Sequence, residues 1–99
     1  MSHQPWTLVG QFASVRFSVT ADASPGLLPR LLQAFAKRDL VPDLFDARRA
    51  GEGVRVEIGM RAMPAEIVHL VQGNMQQVVG VHSVTRQAEI TGVVRRSAA

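Results

Sequence analysis

The chain has 99 residues, of which 46% are hydrophobic and 19% are charged, and this composition predicts one small globular domain. It contains no cysteine, which excludes disulfides, zinc–thiolate sites and thiol catalysis. Its formal net charge of +3 is lower than a dedicated nucleic-acid binder usually carries. No apolar run approaches the roughly 20 residues of a membrane span, and the N-terminus lacks the pattern of a signal peptide. We therefore expect a cytoplasmic protein without membrane contact.

The first half of the chain predicts an arm, a strand and a helix. Residues 1–12 show little pattern and are expected to form an N-terminal arm. Residues 13–21 alternate apolar and polar side chains, which indicates a half-buried strand. Ser24 is the expected N-cap of the following helix and Pro25 its first residue. Apolar residues at helical spacing extend this helix to about Arg38-Asp39.

A hairpin is predicted next. A weak strand begins after Pro42, with Phe45 and Ala47 facing inward, and its mixed composition is typical of a sheet edge. Gly51-Glu52-Gly53 forms the turn. The following strand alternates cleanly from Val54 to Met60.

The second helix and a last strand complete the pattern. Pro64 opens an amphipathic helix and Gly80 ends it. The last strand runs from Val81 to about Ala88, which makes residues 13–88 the domain and residues 89–99 a flexible C-terminal tail. The order β-α-β-β-α-β predicts an α+β, ferredoxin-like fold, with a four-stranded antiparallel sheet and two helices on one face.

The junction between the first strand and the first helix is the candidate effector site. The first N–H groups of a helix lack intrahelical acceptors and attract a carboxylate, and a glycine lets a ligand approach closely. A small amino acid would fit these requirements, and a plain helix start explains the same residues equally well. The segment comprises Asp22, Ala23, Ser24, Pro25, Gly26 and Leu27.

Catalysis, metal binding and RNA binding find no support in the pattern. The histidines at positions 3, 69 and 82 lack metal-ligand spacing. No general base is evident near Ser24. An RNA-recognition module needs exposed aromatic residues on its central strands, where this chain has Arg55, Glu57 and Gly59. We expect no catalytic residue, no metal and no cofactor in this chain.

The uncovered sheet face is the candidate partner surface. Arg16, Arg55 and Arg61 fall on the outward phase of the predicted strands. Arginine is enriched at interfaces because its planar guanidinium pairs bidentately and stacks. An ordinary solvated face is the alternative for each of these residues.

Four stretches together resemble the ACT domain family, and more closely the small regulatory subunit of acetolactate synthase. They are Phe17–Val19, Pro25–Leu28, Lys37–Leu40 and Asn74–Val84. The resemblance covers roughly residues 13–86 and rests on the order and spacing of the stretches. It implies a homodimeric, non-catalytic subunit that raises the activity of a thiamine-diphosphate enzyme in branched-chain amino acid synthesis. Many such subunits also bind valine, or a related amino acid, between paired domains, and the cofactors belong to the large subunit.

Two departures from that family modify the expectation. The family commonly has Asn or Asp two residues before the proline, where it holds the ammonium of the effector, and this chain has Ala23 there, with Asp22 one residue further away. Full-length small subunits also carry a second domain that this chain lacks. Both features resemble the short subunits of effector-insensitive isozymes. The expectation is therefore activation of a large subunit with weak or absent amino acid binding, and the alternative is a stand-alone sensor of a small amino acid.

Overall fold

The computed structural model describes the backbone of residues 6–97 and the side chains of residues 10–93. The helices and strands are β1 Trp6–Asp22, α1 Leu27–Ala36, β2 Leu44–Ala50, β3 Gly53–Pro64, α2 Val68–Gln76 and β4 Val81–Ser97. A short 3-10 turn, Ala65–Ile67, precedes α2. The strands pair antiparallel in the order β2-β3-β1-β4, which confirms the predicted α+β, ferredoxin-like fold.

The core lies between the two helices and one face of the sheet. Phe17 of β1 is fully buried and packs edge-to-face on Phe35 of α1, with ring centroids 5.9 Å apart. Ile58 is the register partner of Phe17 on β3 and is also fully buried. Alternate residues of both central strands thus supply the apolar face that the sequence predicted, and the opposite face is left open.

The start of α1 differs from the prediction. Gly26 is the N-cap, no side chain caps the helix, and the helix begins at Leu27. Ser24 contributes its backbone oxygen instead of its hydroxyl, since that oxygen accepts the Leu27 N–H at 3.1 Å. The prediction of Ser24 as N-cap and Pro25 as first helical residue was therefore wrong. Pro29 lies in the first turn, where a missing N–H breaks no helical bond.

The end of α1 also comes earlier than predicted. The helix stops at Ala36, with Lys37 as its C-cap. Asp39 has φ of +58°, a left-handed conformation that a continuing helix does not allow. Basic side chains therefore follow α1 and do not occupy its last turn.

The hairpin formed by β2 and β3 matches the prediction in outline. Strand β2 lies at the edge of the sheet, as expected, and Gly51 in the turn has φ of +62°. Phe45 packs against the core. Ala47 lies opposite the buried Val56 and is therefore on the inward face with Phe45, as expected, although it is exposed at the edge of the sheet. Among the helices that the structure describes, none is long and apolar enough to span a bilayer.

The two outer strands are much longer than the alternation indicated. Strand β1 begins at Trp6 and β4 ends at Ser97, so the prediction of strand ends near residues 13 and 88 was wrong. Register shifts between Leu8 and Gly10, and again near residue 12, interrupt the two-residue period that the sequence pattern depends on. Residues 1–5 and 98–99 of the predicted arm and tail lie outside the described residues.

A two-stranded ribbon results, and it leaves the body of the domain. Residues 6–11 of β1 pair only with residues 93–97 of β4, because the pairing of β1 with β3 begins at Phe12. The ribbon contributes to a molecule that measures 60 × 20 × 20 Å along its principal axes.

Candidate effector site and partner surface

The predicted effector segment forms one wall of a shallow pocket of about 340 Å³. The pocket lies where β1 passes into α1, and the inward phase of β2 and β3 forms the other wall. Of the predicted residues it is lined by Ala23, Ser24, Pro25 and Leu27. Three further lining residues were not predicted, namely Leu28, Arg49 and Val54.

Arg49 gives this pocket its positive charge. It lies opposite Val54 in the β2–β3 register and follows Phe45 and Ala47 on the inward phase of an edge strand. An arginine on the inward phase beside a turn was the available signal in the sequence. A guanidinium next to apolar side chains suits a small ligand with a carboxylate at one end and an aliphatic group at the other.

The start of α1 offers few backbone donors to such a ligand. The Leu27 N–H is bonded to Ser24, Pro29 has none, and the Arg30 N–H donates to the Gly26 oxygen at 3.3 Å. Gly26 does not line the pocket, because the Arg30 guanidinium packs on it, 3.1 Å from where a Cβ would stand. The helix start is therefore a weaker anion site than its sequence indicated.

Asp22 is held away from the pocket by β4. Its Oδ1 lies 2.7 Å from Nε2 of His82, and its backbone N–H donates to the Gly80 oxygen at 2.8 Å. Gly80 has φ of +93° and brings the chain close to the Asp22 side chain. Because its carboxylate is already engaged, Asp22 is poorly placed to replace the Asn or Asp that Ala23 lacks.

The open sheet face has a polar cluster at its centre. Ser18 of β1 donates to both carboxylate oxygens of Glu57 on β3, at 2.7 and 3.0 Å. Arg16 approaches the same carboxylate at 3.9 Å, with 54% of its side chain exposed. These contacts orient Glu57 but leave most of the Arg16 guanidinium free for water or for a partner.

Two of the three predicted arginines lie in one cleft on this face. Arg16 and Arg61 line a depression of about 690 Å³ that crosses the sheet from Asp43, next to β2, to Glu89 of β4. Its floor includes Gly59, where a Cβ would stand 3.2 Å from the Leu44 side chain. The cleft exposes two guanidiniums between two carboxylates, a pattern suited to a polar protein surface.

Arg55 lies apart from that cleft. It lines a smaller depression of about 320 Å³ at the other end of the sheet, together with Asp22 and His82. The sequence placed all three arginines on the right face. Their separation into two groups follows from the strand register, since Arg55 pairs with Thr20 and Arg16 pairs with Gly59.

Side chains with catalytic potential do not converge in the part of the chain that the structure describes. No three of its His, Asp and Glu side chains form a group that could hold a metal ion. His69 is exposed on α2. His82 has Asp22 as partner, but both side chains are more than 60% exposed, at 61% and 68%. Such exposure provides none of the desolvation that a general base needs.

Comparison with solved structures finds the same fold in other proteins. A homoserine dehydrogenase from Thiobacillus denitrificans matches with a TM-score of 0.67 and 15% identity, over 78% of this chain and 17% of that chain. The ACT domain from GTP pyrophosphokinase of Chlorobium tepidum matches with a TM-score of 0.62 and 14% identity, over 82% and 100%. The regulatory subunit of aspartate kinase from Thermus thermophilus matches with a TM-score of 0.54 and 15% identity, over 86% and 58%.

Sequence comparison gives the family. No curated protein matches the chain. The model of the ACT-like domain matches residues 10–91, which is most of the sequence and includes both the candidate pocket and the open sheet face. The chain thus belongs to the ACT-like domain family, whose domains are regulatory and non-catalytic.

Proposed function

We propose that this domain regulates a separate enzyme by binding it through the open sheet face, and that this enzyme is the large subunit of acetolactate synthase in the cytoplasm. The observation that carries the proposal is the open-face cleft with its two arginines. Arg61 uses only its backbone N–H, which donates to Asp43, so its guanidinium has no partner among the described residues. The choice of enzyme follows from the resemblance of the four sequence stretches.

An arginine with an unused guanidinium is suited to a partner carboxylate. The planar fork donates two parallel hydrogen bonds and loses little conformational freedom for each bond formed. Glu57 holds Arg16 near the centre of the face, and Arg61 lies in the same cleft. A partner with exposed carboxylates would neutralise both cations, and its own cations would meet Asp43 and Glu89.

Reconstitution with the large subunit tests the proposal. Mixing the two purified proteins is expected to raise the turnover of the large subunit. The double substitution Arg16→Gln and Arg61→Gln is expected to weaken activation by about tenfold or more, because removing one partner of a buried, hydrogen-bonded charge pair costs about 2 kcal/mol or more. The control is Arg30→Gln with Lys37→Gln, which removes the same charge from α1 and its C-cap.

The results of this reconstitution test the choice of enzyme and the choice of surface separately. Loss of activation by the sheet-face variant but not by the helix variant supports the proposal. Absence of binding and of any change in turnover would contradict the choice of enzyme. Equal loss in both variants would contradict the choice of surface. Circular dichroism of each variant excludes unfolding as the cause.

The effector pocket supports weak amino acid binding in this proposal. Ala23 cannot hold an ammonium, Asp22 is engaged by His82, and α1 offers few free donors. The same pocket also supports a second candidate function, a stand-alone sensor of a small amino acid. The observation in its favour is Arg49 beside the apolar side chains of Leu28 and Val54.

Calorimetry distinguishes the two candidates. Titration with valine, leucine and isoleucine is expected to show binding if the domain is a sensor, and Arg49→Gln is expected to abolish the heat. Arg48→Gln is the matched control, because Arg48 is the neighbouring residue, faces the opposite side of β2 and bonds to Asp46 at 3.1 Å. No heat with any of these amino acids would count against the sensor and leave the activating function untouched.

A further inference from the structure

We infer that residues 6–11 of β1 pair with the same residues of a second copy of this chain, so that two ribbons join into one four-stranded sheet. This inference goes beyond the proposed regulatory function and stands without it, because association is measured on the purified chain alone.

Besides the short end of β3 beyond Gly59, which contains Arg61 and Pro64, the described sheet has three free strand edges, and they differ in charge. Strand β2 presents one edge, and its seven residues include Asp46, Arg48 and Arg49. Strand β4 presents another, and its sequence includes Arg95 and Arg96 in the ribbon. Charged residues on edge strands are the usual protection against pairing with another chain.

The third free edge, formed by residues 6–11 of β1, has no charged residue to prevent pairing with another chain. Among the described residues, β4 pairs with one side of residues 6–11 of β1 and no strand pairs with the other side, because the pairing with β3 ends at Pro64. Their sequence, Trp-Thr-Leu-Val-Gly-Gln, has no charge and no proline. A short segment of high β-propensity with neither feature is a template for strand pairing. Two such edges meet without like-charge repulsion, whereas two β4 edges would bring arginine pairs together.

The ribbon also needs further strands for its own stability. An isolated two-stranded antiparallel pair is marginal in water, and three or more strands are required for independent stability. In addition, Val9 has no partner in β4, because the register shifts between Leu8 and Gly10. A second copy of β1 supplies the missing neighbours on the free side.

A two-fold axis makes this pairing antiparallel and closed. The strand order of the joined sheet becomes β4-β1-β1-β4, with the two central strands from different copies, and no β1 edge remains free. Because the paired β1 strands run in opposite directions, the two bodies lie at opposite ends of the joined sheet. Both open faces and both effector pockets then remain accessible to other partners.

Cysteine scanning tests the inference directly, since the chain has no cysteine of its own. Single substitutions Thr7→Cys, Leu8→Cys, Val9→Cys and Gly10→Cys are oxidised mildly and examined on non-reducing gels. A disulfide requires Cα atoms within about 7 Å, so only positions next to the two-fold axis are expected to cross-link. The controls are Arg48→Cys on β2 and Val93→Cys on β4, which probe the other two edges.

Sedimentation of the full chain gives the second measurement. The native chain is expected to show a concentration-dependent dimer. Val9→Lys places like charges across the joint and is expected to raise the dissociation constant by about tenfold or more, whereas Val93→Lys, one strand further out, changes it by less than about threefold.

Cross-linking within residues 7–10, together with this contrast between the lysine variants, supports the inference. Cross-linking only through Arg48→Cys or Val93→Cys would overturn it, because another edge would then be the interface. A native chain that stays monomeric at every concentration would overturn it as well. Neither of these negative results bears on activation of a partner enzyme.

Discussion

The body of the domain and the ribbon contain the same two strands, yet different interactions hold them in place. In the body, β1 lies between β3 and β4 and turns Phe17 and Val19 into a core covered by two helices. In the ribbon, β1 and β4 have only each other, and Val93 is 43% exposed. Backbone pairing is common to both regions, and the fully buried apolar side chains that the structure describes lie in the body.

We therefore expect the body to determine the stability of the chain and the ribbon to determine its association with a second copy. The body gains its stability from side chains that leave water, and its open face is free to carry polar contacts. The β1 strand of the ribbon is paired on one side only, and its free edge is uncharged. Substitutions in the body are therefore expected to change the free energy of unfolding, and substitutions in the ribbon to change association instead.

The largest expected effect is that of Phe17→Ala. Truncation leaves a cavity next to Phe35, and a buried Phe→Ala substitution lowers the free energy of unfolding by about 3–5 kcal/mol. Urea denaturation followed by circular dichroism measures the loss. If that variant does not fold, Ile58→Val gives a milder test, with an expected loss of about 0.5–1.5 kcal/mol.

Val93→Ala is the matched substitution in the ribbon. Its side chain is partly exposed, and the expected change is within about 0.5 kcal/mol. A loss as large as that of Phe17→Ala would show that the ribbon and the body share one core, and the distinction between the two regions would fail.

The predictability of the fold follows the same division. Residues 13–21 and 54–60 were recognisable because one face of each strand is buried, and burial imposes the two-residue period. The ribbon was not recognisable, because register shifts interrupt the two-residue period of its strands. Its strands depend on each other, and a pairing between residues 6 and 97 leaves no local signal in the sequence.

The second prediction compares two glycines of the sheet, Gly53 inside the body and Gly92 next to the start of the ribbon. A Cβ at Gly53 would stand 2.7 Å from the backbone oxygen of Ala21, so that β1 and β3 must move apart. Such overpacking costs about 1–3 kcal/mol, and Gly53→Ala is expected to lower the free energy of unfolding by that amount. Gly92 in β4 has no atom within 4 Å of the same position, and Gly92→Ala is expected to change stability by less than about 0.5 kcal/mol. Equal effects of the two substitutions would contradict the tighter packing of the body.

The candidate site was also predictable only in part, because some of its residues come together through local sequence signals and others only through strand pairing. The segment from Ala23 to Leu27 was found because proline and glycine mark a helix start locally. Arg49 was missed because it joins the pocket only through the register that places it opposite Val54. The role of Asp22 was also missed, since its contact with His82 joins residues 60 positions apart.

The last substitution, Gln11→Pro, tests whether the ribbon is a separate unit. Gln11 lies opposite Val93 where the ribbon leaves the body, and proline there lacks a backbone N–H and restricts the preceding residue. At concentrations low enough to keep the chain monomeric, the ribbon beyond residue 11 is expected to open, while the free energy of unfolding falls by less than about 1 kcal/mol. Hydrogen exchange is expected to show lost protection in residues 6–10 and 94–97 and unchanged protection around Phe17.

Val19→Pro is the control in the body, where β1 is paired on both sides and Val19 is fully buried, and it is expected to prevent folding. Should Gln11→Pro also unfold the body, the ribbon would be part of one cooperative unit, and its free edge would owe its order to the core instead of to a second copy.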